Sequence, residues 1–170
     1  MRTSKFLIET FFLTRYSPRE FRSADVADED LLGILEAAST APSCFNEQPW
    51  RFVLADKKKF YDILTPGNME WCQNLKTFVL ICSVPTYARN GRTNHWASFD
   101  CGTAWGYMTM EAAHRGYALH AMAGFDRGKA RTLFDLGEWQ PEAVIAFGVA
   151  PHSEEEMSPR RPLEESIKRC

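Results

Sequence analysis

The stretch at residues 96–115 constrains the fold more than any other part of the chain. It is rich in Ala, Met and Gly and is apolar on most faces, which predicts a long, nearly buried helix. Gly116 follows and suits the left-handed conformation that ends many helices. Other elements must therefore pack around this helix on more than one side.

Four apolar segments predict the strands of a sheet. Residues 77–84 form a continuous apolar run, which is typical of a buried central strand. Shorter runs at 51–55, 117–123 and 143–149 predict three more strands. We expect helices to pack on this sheet.

Shorter helices are predicted between the strands. Residues 6–14 and 57–64 have suitable apolar spacing, and Asp126 is placed to cap another helix. A further helix begins at the N-cap Asp28 and ends before Pro42. Its apolar stripe consists of Leu31, Leu32, Leu35 and Ala38.

The order of these elements points to a fold class. They do not alternate in the regular rhythm of a doubly wound dinucleotide fold, and the chain has no Gly-x-Gly-x-x-Gly motif. This argues for an α+β fold. The last twenty residues are polar and include three prolines, so we expect an extended C-terminal arm.

Composition argues against several classes of function. A net charge of -2 gives no overall basic field that favours nucleic acid or an anionic membrane. The apolar run at 78–82 is far shorter than the about 20 residues that span a bilayer. Five cysteines in irregular spacing match neither a metal site nor a disulfide framework. We expect one soluble domain, residues 1–170, in the cytoplasm.

The loop at 41–52 concentrates neutral polar groups between a predicted helix and a predicted strand. Ser43, Asn46 and Gln48 offer hydroxyl and amide groups that suit the polar edge of a planar heterocycle. The same residue types are also ordinary in loops, and the tryptophan that follows them is an ordinary core residue. The loop alone allows either interpretation.

Two other segments give this loop a context. Residues 15–21 carry an Arg-x-Ser-x-Arg-x-Phe pattern, and Gly124-Phe125-Asp126 follows a predicted strand. Together with Ser98-Phe99-Asp100-Cys101-Gly102 near the start of the long helix, they resemble the nitroreductase family of enzymes that bind flavin mononucleotide (FMN). The resemblance extends over about residues 15–163.

The resemblance implies a nitroreductase-like fold with a central mixed, mostly antiparallel sheet flanked by helices, a long buried helix and an extended C-terminal arm. It also implies an intertwined homodimer, and the small-residue face at 100–113 fits burial against a second subunit. The loop residues that would reach the FMN bound mainly by the other subunit are Pro42, Ser43, Cys44, Asn46 and Gln48.

The resemblance further implies how the phosphate of FMN is held. The positions of Arg15, Tyr16 and Ser17 bind it in the family, aided by basic residues of the C-terminal arm, here Arg160 and Arg161. Arginine suits a phosphate dianion because its planar fork offers several donors. The alternative is that these side chains are solvated surface charges.

Arg19 matches the family position whose cation lies near N1 and the C2 carbonyl of the flavin. A fixed positive charge there stabilises the negative charge that develops when the ring accepts hydride. The alternative is an exposed arginine that pairs with Glu20 or Asp25.

The reactive edge of the ring is expected beside a turn of small residues. The backbone of Ala121, Met122, Ala123 and Gly124 resembles the family turn that approaches N5. Many relatives have an acidic residue where Ala123 stands, so this chain lacks one polar side chain there. Asn68 resembles an amide position on the pyrimidine side of the ring. Residues 87–96 either cover the flavin or leave it open.

The expected activity is ping-pong transfer of hydride from NAD(P)H through FMN to a nitroaromatic, a quinone or a similar small-molecule acceptor. The cofactor carries this chemistry, so the hypothesis needs no protein acid or base and no metal. Two alternatives stay open. One is a flavin sensor or FMN store without efficient turnover, and the other is a structural domain that binds no flavin.

Overall fold

The computed structural model describes residues 2–22, 25–149 and 157–170. Its helices and strands are α1 Thr10–Thr14, α2 Asp28–Ser39, β1 Trp50–Leu54, α3 Lys57–Ile63, α4 Pro66–Cys72, β2 Thr77–Ser83, α5 Ala97–His114, β3 Ala118–Met122, α6 Arg127–Leu133 and β4 Gln140–Gly148. Short 3-10 turns lie at Cys44–Asn46 and Leu163–Ser166. The α+β class is confirmed, although the short helix α4 was not predicted.

The strands form a sheet in the order β1-β2-β4-β3, with Val53, Leu80, Val144 and Met122 in one row across it. Every strand pair among the described residues is antiparallel, so the expected mixed sheet is corrected there. The connections explain the directions. Strand β2 begins beside the end of β1, and β4 begins near the end of β3, so neither connection crosses the sheet.

Helices cover both faces of the sheet. Helices α2 and α5 enclose one core, to which β2 contributes Val79 and Ile81. Helices α3, α4 and α6 lie over a second core, to which β2 contributes Phe78 and Leu80. Successive side chains of a strand point to opposite faces, so a strand buried on both faces has the continuous apolar sequence observed in β2.

Helix α5 is buried on one side only, which corrects the expectation of a nearly buried helix. Ala104, Met108 and Ala112 lie in the core, whereas Phe99 is 67% exposed and Tyr107 is 44% exposed. The sheet and α2 cover one face of the helix, α1 also contacts it, and the face that carries Phe99 and Tyr107 is left uncovered. Gly116 ends the helix region with φ +83°, as predicted.

The helix predictions near the N-terminus were partly wrong. Helix α1 begins only at Thr10, and Phe6 and Leu7 before it are exposed. Helix α2 begins at Asp28, with Ala27 as its N-cap. Its buried face includes Ile34, and Leu32 is exposed. The apolar residues at 31–35 allowed several faces, and packing against α5 selected one.

An ion-pair network joins α2 to the end of α5. The Arg115 guanidinium lies 3.0 Å from Asp30 Oδ1 and 2.7 Å from Glu111 Oε1, and the Tyr117 hydroxyl donates to Asp30 Oδ2 at 2.7 Å. These contacts raise the pKa of Arg115, with the bond to Glu111 as the largest cause. Both carboxylates are supplied by the fold, so this arginine has a structural role.

Candidate functional site

The N-terminal segment and the C-terminal arm enclose a cleft of about 900 Å³. The cleft is lined by Arg15, whose guanidinium Nη1 donates to Ser17 Oγ at 3.4 Å, and by Arg160 and Arg161 of the arm. The structure therefore brings together the arginines that the sequence predicted for an anion, although they lie far apart in the chain.

Arg2 belongs to the same cleft and was missed in the sequence analysis. Its Nη1 donates to the Arg15 carbonyl oxygen at 2.6 Å, and its Nε donates to the Ser158 carbonyl oxygen at 3.2 Å. Arg160 also donates to the Ser158 oxygen, at 3.4 Å. A basic residue beside the N-terminus has no local signal of function, and only the fold shows its neighbours.

The electrostatics of this cleft are unusual for an arginine cluster. Burial lowers the pKa of the half-buried Arg15, and the like charges of Arg2 and Arg160 lower it further. No carboxylate of the described residues lies within 4.0 Å of these three guanidinium groups. Glu164, which lines the cleft, is paired with Lys5 at 3.2 Å. Such a cluster favours a bound anion, because an anion would remove the repulsion.

Arg19 is exposed, and neither suggested ion pair is formed within the described part of the chain. Asp25 is paired with Lys76 at 3.0 Å instead. The neighbouring His120 has its Nδ1 2.8 Å from the Pro18 carbonyl oxygen. Burial lowers the pKa of His120, and the charge of Arg19 contributes to that shift. Arg19 is therefore a cation without a carboxylate partner among these residues.

Asn68 and Gly124 lie together although 56 residues separate them. Asn68 Nδ2 donates to the Gly124 carbonyl oxygen at 2.9 Å, and Trp71 Nε1 donates to Asn68 Oδ1 at 3.2 Å. A Cβ on Gly124 would lie 2.8 Å from Asn68 Nδ2, so a larger residue would displace the amide. The sequence analysis placed these residues at the same ring, and the structure makes them neighbours.

The turn before Gly124 offers a backbone edge. Ala121 and Met122 belong to the edge strand β3, and Ala123 follows it and is exposed. The Met122 side chain is buried at 2% exposure, so it belongs to the core. None of these residues has a polar side chain, so any polar group that this segment offers to a ligand belongs to its backbone.

The loop at 43–48 has an unusual backbone. Phe45, Asn46 and Gln48 have φ of 55°, 56° and 49°, which non-glycine residues rarely adopt. The Gln48 amide nitrogen donates to Ser43 Oγ at 2.9 Å, and Gln48 Nε2 donates to the Asn46 carbonyl oxygen at 3.1 Å. Strained residues of this kind cluster at ligand sites. The Ser43 hydroxyl and the Gln48 side-chain amide, which were predicted to bind a ligand, thus form hydrogen bonds within the loop. Pro42, just before the loop, is exposed.

The segment at 87–96 lies against this loop. Cys44 Sγ is 3.8 Å from the Tyr87 hydroxyl, and the Glu47 carboxylate accepts a bond from the Ala88 amide. The Cys44 amide donates to the buried carboxylate of Asp100 at 3.1 Å, which fixes the loop to the start of α5. Within this segment, Asn94 Nδ2 is buried and has no acceptor among the described residues.

The candidate residues form two groups. The loop at 43–48 leads into β1, whereas Ala123 and Gly124 follow β3, at the opposite edge of the sheet. Three strand spacings separate these edges, which is about 14 Å. Within a single chain, the loop at 43–48 and the turn at 123–124 therefore do not form one pocket around a flavin ring.

The described residues lack two further features. They contain no group of three or more His, Cys, Asp or Glu side chains arranged to hold a metal ion. None of their helices combines the length and apolarity needed to cross a bilayer.

Comparison with known proteins gives consistent matches. The model of the nitroreductase family matches residues 13–66. A candidate NADH dehydrogenase/NAD(P)H nitroreductase of Archaeoglobus fulgidus is 36% identical over 144 residues, which cover 80% of this chain and 78% of that protein. A candidate NAD(P)H nitroreductase of Streptococcus pyogenes is 23% identical and covers 91% of this chain and 95% of that protein.

Solved structures share the whole fold. A crystal structure of an oxidoreductase containing FMN superposes with a TM-score of 0.89 at 31% identity and covers 98% of this chain and 93% of its own. A candidate nitroreductase of Exiguobacterium sibiricum in complex with FMN gives a TM-score of 0.80 at 16% identity, over 99% of this chain and 100% of its own. With the 36% identity to the Archaeoglobus protein, these matches establish that the chain belongs to the nitroreductase family.

Proposed function

We propose that this protein is an FMN-dependent oxidoreductase that takes hydride from NAD(P)H and passes it, in ping-pong order, to nitroaromatic, quinone or similar acceptors. The observation that carries the proposal is the cleft of Arg2, Arg15 and Arg160, in which cations are gathered without a carboxylate partner among the described residues. FMN in two solved structures of similar fold supports FMN as the anion of that site.

The residues present fit FMN at both of its ends. The phosphate dianion would lie among the guanidinium groups of the cleft, with Ser17 Oγ beside Arg15 and with Arg161 lining the same space. The ring would lie against Asn68 and Gly124, which are packed so closely that a Cβ on Gly124 would collide with the Asn68 amide. Tyr16 stands between the two phosphate-site residues in the chain.

Each protein group has an electrostatic or positioning role. When bound, FMN supplies the two-electron chemistry that joins NAD(P)H to the acceptor. Arg19 would hold a positive charge near the pyrimidine edge, and the backbone at 121–124 would present its polar groups to the opposite edge. Solvent supplies and receives the protons, so no side chain acts as acid or base.

The working unit of the proposal is a homodimer. The uncovered face of α5, with Phe99 and Tyr107, offers apolar surface for a second copy. In such a dimer, the loop of the second copy would lie beside Ala123 and Gly124 of the first, which follow β3 at the other edge of the sheet. The loop residues concerned are Pro42, Ser43, Cys44, Asn46 and Gln48. Each flavin site would then need both chains.

Anaerobic titration tests the proposal directly. The purified protein, incubated with FMN and then desalted, should retain the absorbance of oxidised flavin. Addition of NADH or NADPH should bleach it, and a nitroarene or quinone should restore it with the stoichiometry of one hydride per flavin. Flavin that binds and is not bleached by either nucleotide would contradict the proposed enzyme and support a storage or sensing role. Failure to retain FMN would contradict the whole proposal.

A further inference from the structure

The segment at 87–95 carries a local excess of positive charge. Arg89 and Arg92 lie three residues apart, and no Asp or Glu occurs between Val84 and Phe99. The segment is closed on itself by an antiparallel bridge between Thr86 and Thr93. It thus forms a cationic strap next to the strained loop at 43–48.

One cation of the strap is held over that loop by aromatic rings. The Arg89 guanidinium carbon lies 4.0 Å from the centroid of the Phe45 ring and 5.3 Å from that of Tyr87. The two rings meet edge to face with centroids 6.1 Å apart. Contacts with ring faces position a guanidinium without using its hydrogen-bond donors.

Three carboxylates bond to groups in or beside the strap and the loop at 43–48. Glu47 accepts the Ala88 amide, Glu138 accepts from the Thr86 hydroxyl at 3.2 Å, and Asp100 accepts the Cys44 amide. Within the described residues, no carboxylate lies within 4.0 Å of the Arg89 guanidinium. Its donors are therefore available to a ligand at the exposed face of Phe45, which is 68% exposed.

Phe45 also connects Arg89 to the proposed flavin site. It stands between Cys44 and Asn46, two loop residues that the proposed function places at the cofactor. Its backbone has a positive φ, and its ring contacts both Arg89 and Tyr87 of the strap. A molecule that lies on the flavin beside this loop would meet the Arg89 fork at its edge.

We propose that Arg89, seated on Phe45 and Tyr87, makes this enzyme select electron acceptors that carry a carboxylate or similar planar anion beside their reducible group. This inference rests on the proposed function and adds the substrate class. A guanidinium fork matches a carboxylate in bidentate geometry, which a lysine ammonium does not. Arg89 is a specificity-determining residue in this account and takes no part in hydride transfer.

A matched pair of acceptors tests the inference. The FMN-loaded enzyme is assayed with 4-nitrobenzoate and with the neutral, nearly isosteric 4-nitrobenzamide, under NADH. The ratio of their kcat/KM values should favour the carboxylate and should fall about tenfold in Arg89→Gln, as expected for loss of a charge-assisted hydrogen bond. Arg89→Lys should recover only part of the ratio.

Arg92→Gln is the control variant, because it removes one positive charge from the same strap without touching the aromatic seat. Its ratio should stay within about twofold of the original, as for a distant, screened surface charge. Phe45→Leu, which removes the seat and keeps the charge, should lower the ratio toward that of Arg89→Gln. The effect should appear in KM for the carboxylate more than in kcat, because the contact is formed in the bound substrate.

The possible failures are distinguishable. Turnover of the neutral amide with a carboxylate ratio that is the same in Arg89→Gln and the original enzyme would overturn this inference alone. If Arg89→Gln instead slowed only the reaction with NADPH relative to NADH, the anion would be the nucleotide phosphate, and the inference about acceptors would also be wrong. Absence of turnover with both acceptors would overturn this inference together with the proposed function.

Discussion

Two clusters of charged side chains in this protein surround their arginines in opposite ways. Arg115 is bonded to Asp30 and Glu111, and these contacts raise its pKa. Arg15 is half-buried beside Arg2 and Arg160, and burial and like charges lower its pKa. In the first cluster the fold supplies the counter-charge, while in the second the described residues supply none.

The difference separates a structural cation from a binding cation. A paired arginine joins two elements of the fold and needs nothing further. Gathered arginines without an anion carry a repulsive free energy, and a ligand that brings negative charge relieves it. On this view the terminal cleft is less stable empty than occupied, whereas the junction of α2 with α5 is complete in the chain itself.

The largest expected effect comes from Arg15→Ala. The dissociation constant for FMN should rise about 10- to 100-fold, the range for loss of a hydrogen bond to a charged group. The melting temperature of the cofactor-free protein should not fall, since the change also removes repulsion from Arg2 and Arg160. Flavin fluorescence quenching and thermal unfolding of the apoprotein measure the two quantities. A less stable apoprotein with unchanged FMN affinity would make Arg15 a structural residue like Arg115.

Arg2→Ala should weaken FMN binding by about threefold, because its guanidinium is less buried than that of Arg15 in the same cleft. The same titration measures it, and Lys5→Ala is the control, since that cation is already paired with Glu164. Equal effects of the two substitutions would mean that only the overall charge matters.

The location of Arg2 shows what the sequence could predict. Arg15 and Ser17 are two residues apart, so their pairing follows from local sequence, and resemblance to a family added Asn68, Gly124 and Arg160. The position of Arg2 depends on how the chain termini meet, which no local pattern encodes. The exposed Leu32 and the uncovered face of α5 have the same cause, because both depend on which surfaces other elements cover.

The structural cluster predicts a response to acid. The Tyr117 hydroxyl, followed by Arg115, lowers the pKa of Asp30, so its carboxylate contributes stability above the pKa of the unfolded chain. That contribution should be lost as the pH falls below about 4. Asp30→Asn should reduce stability at neutral pH and flatten the acid limb of a plot of melting temperature against pH. An unchanged acid limb would remove Asp30 from this role.

A smaller effect is expected near neutral pH from His120. Burial lowers its pKa, so the unfolded chain binds a proton more readily than the folded one. Stability should therefore fall as the pH drops below about 6.5, the ordinary value of histidine. Calorimetry between about pH 5 and 8, the range in which histidine changes its charge, should show this slope. His120→Gln should lack it, and an identical slope in both proteins would contradict the assignment.

The central claim is that the terminal cleft binds the phosphate of FMN. It is tested most directly by the affinities of FMN and riboflavin, which lacks the phosphate, for the original protein and for Arg15→Ala. The account predicts that the original protein prefers FMN by at least about tenfold and that Arg15→Ala loses most of this preference while its affinity for riboflavin changes little. Equal affinity of the original protein for both flavins, or a preference that survives in Arg15→Ala, would contradict it.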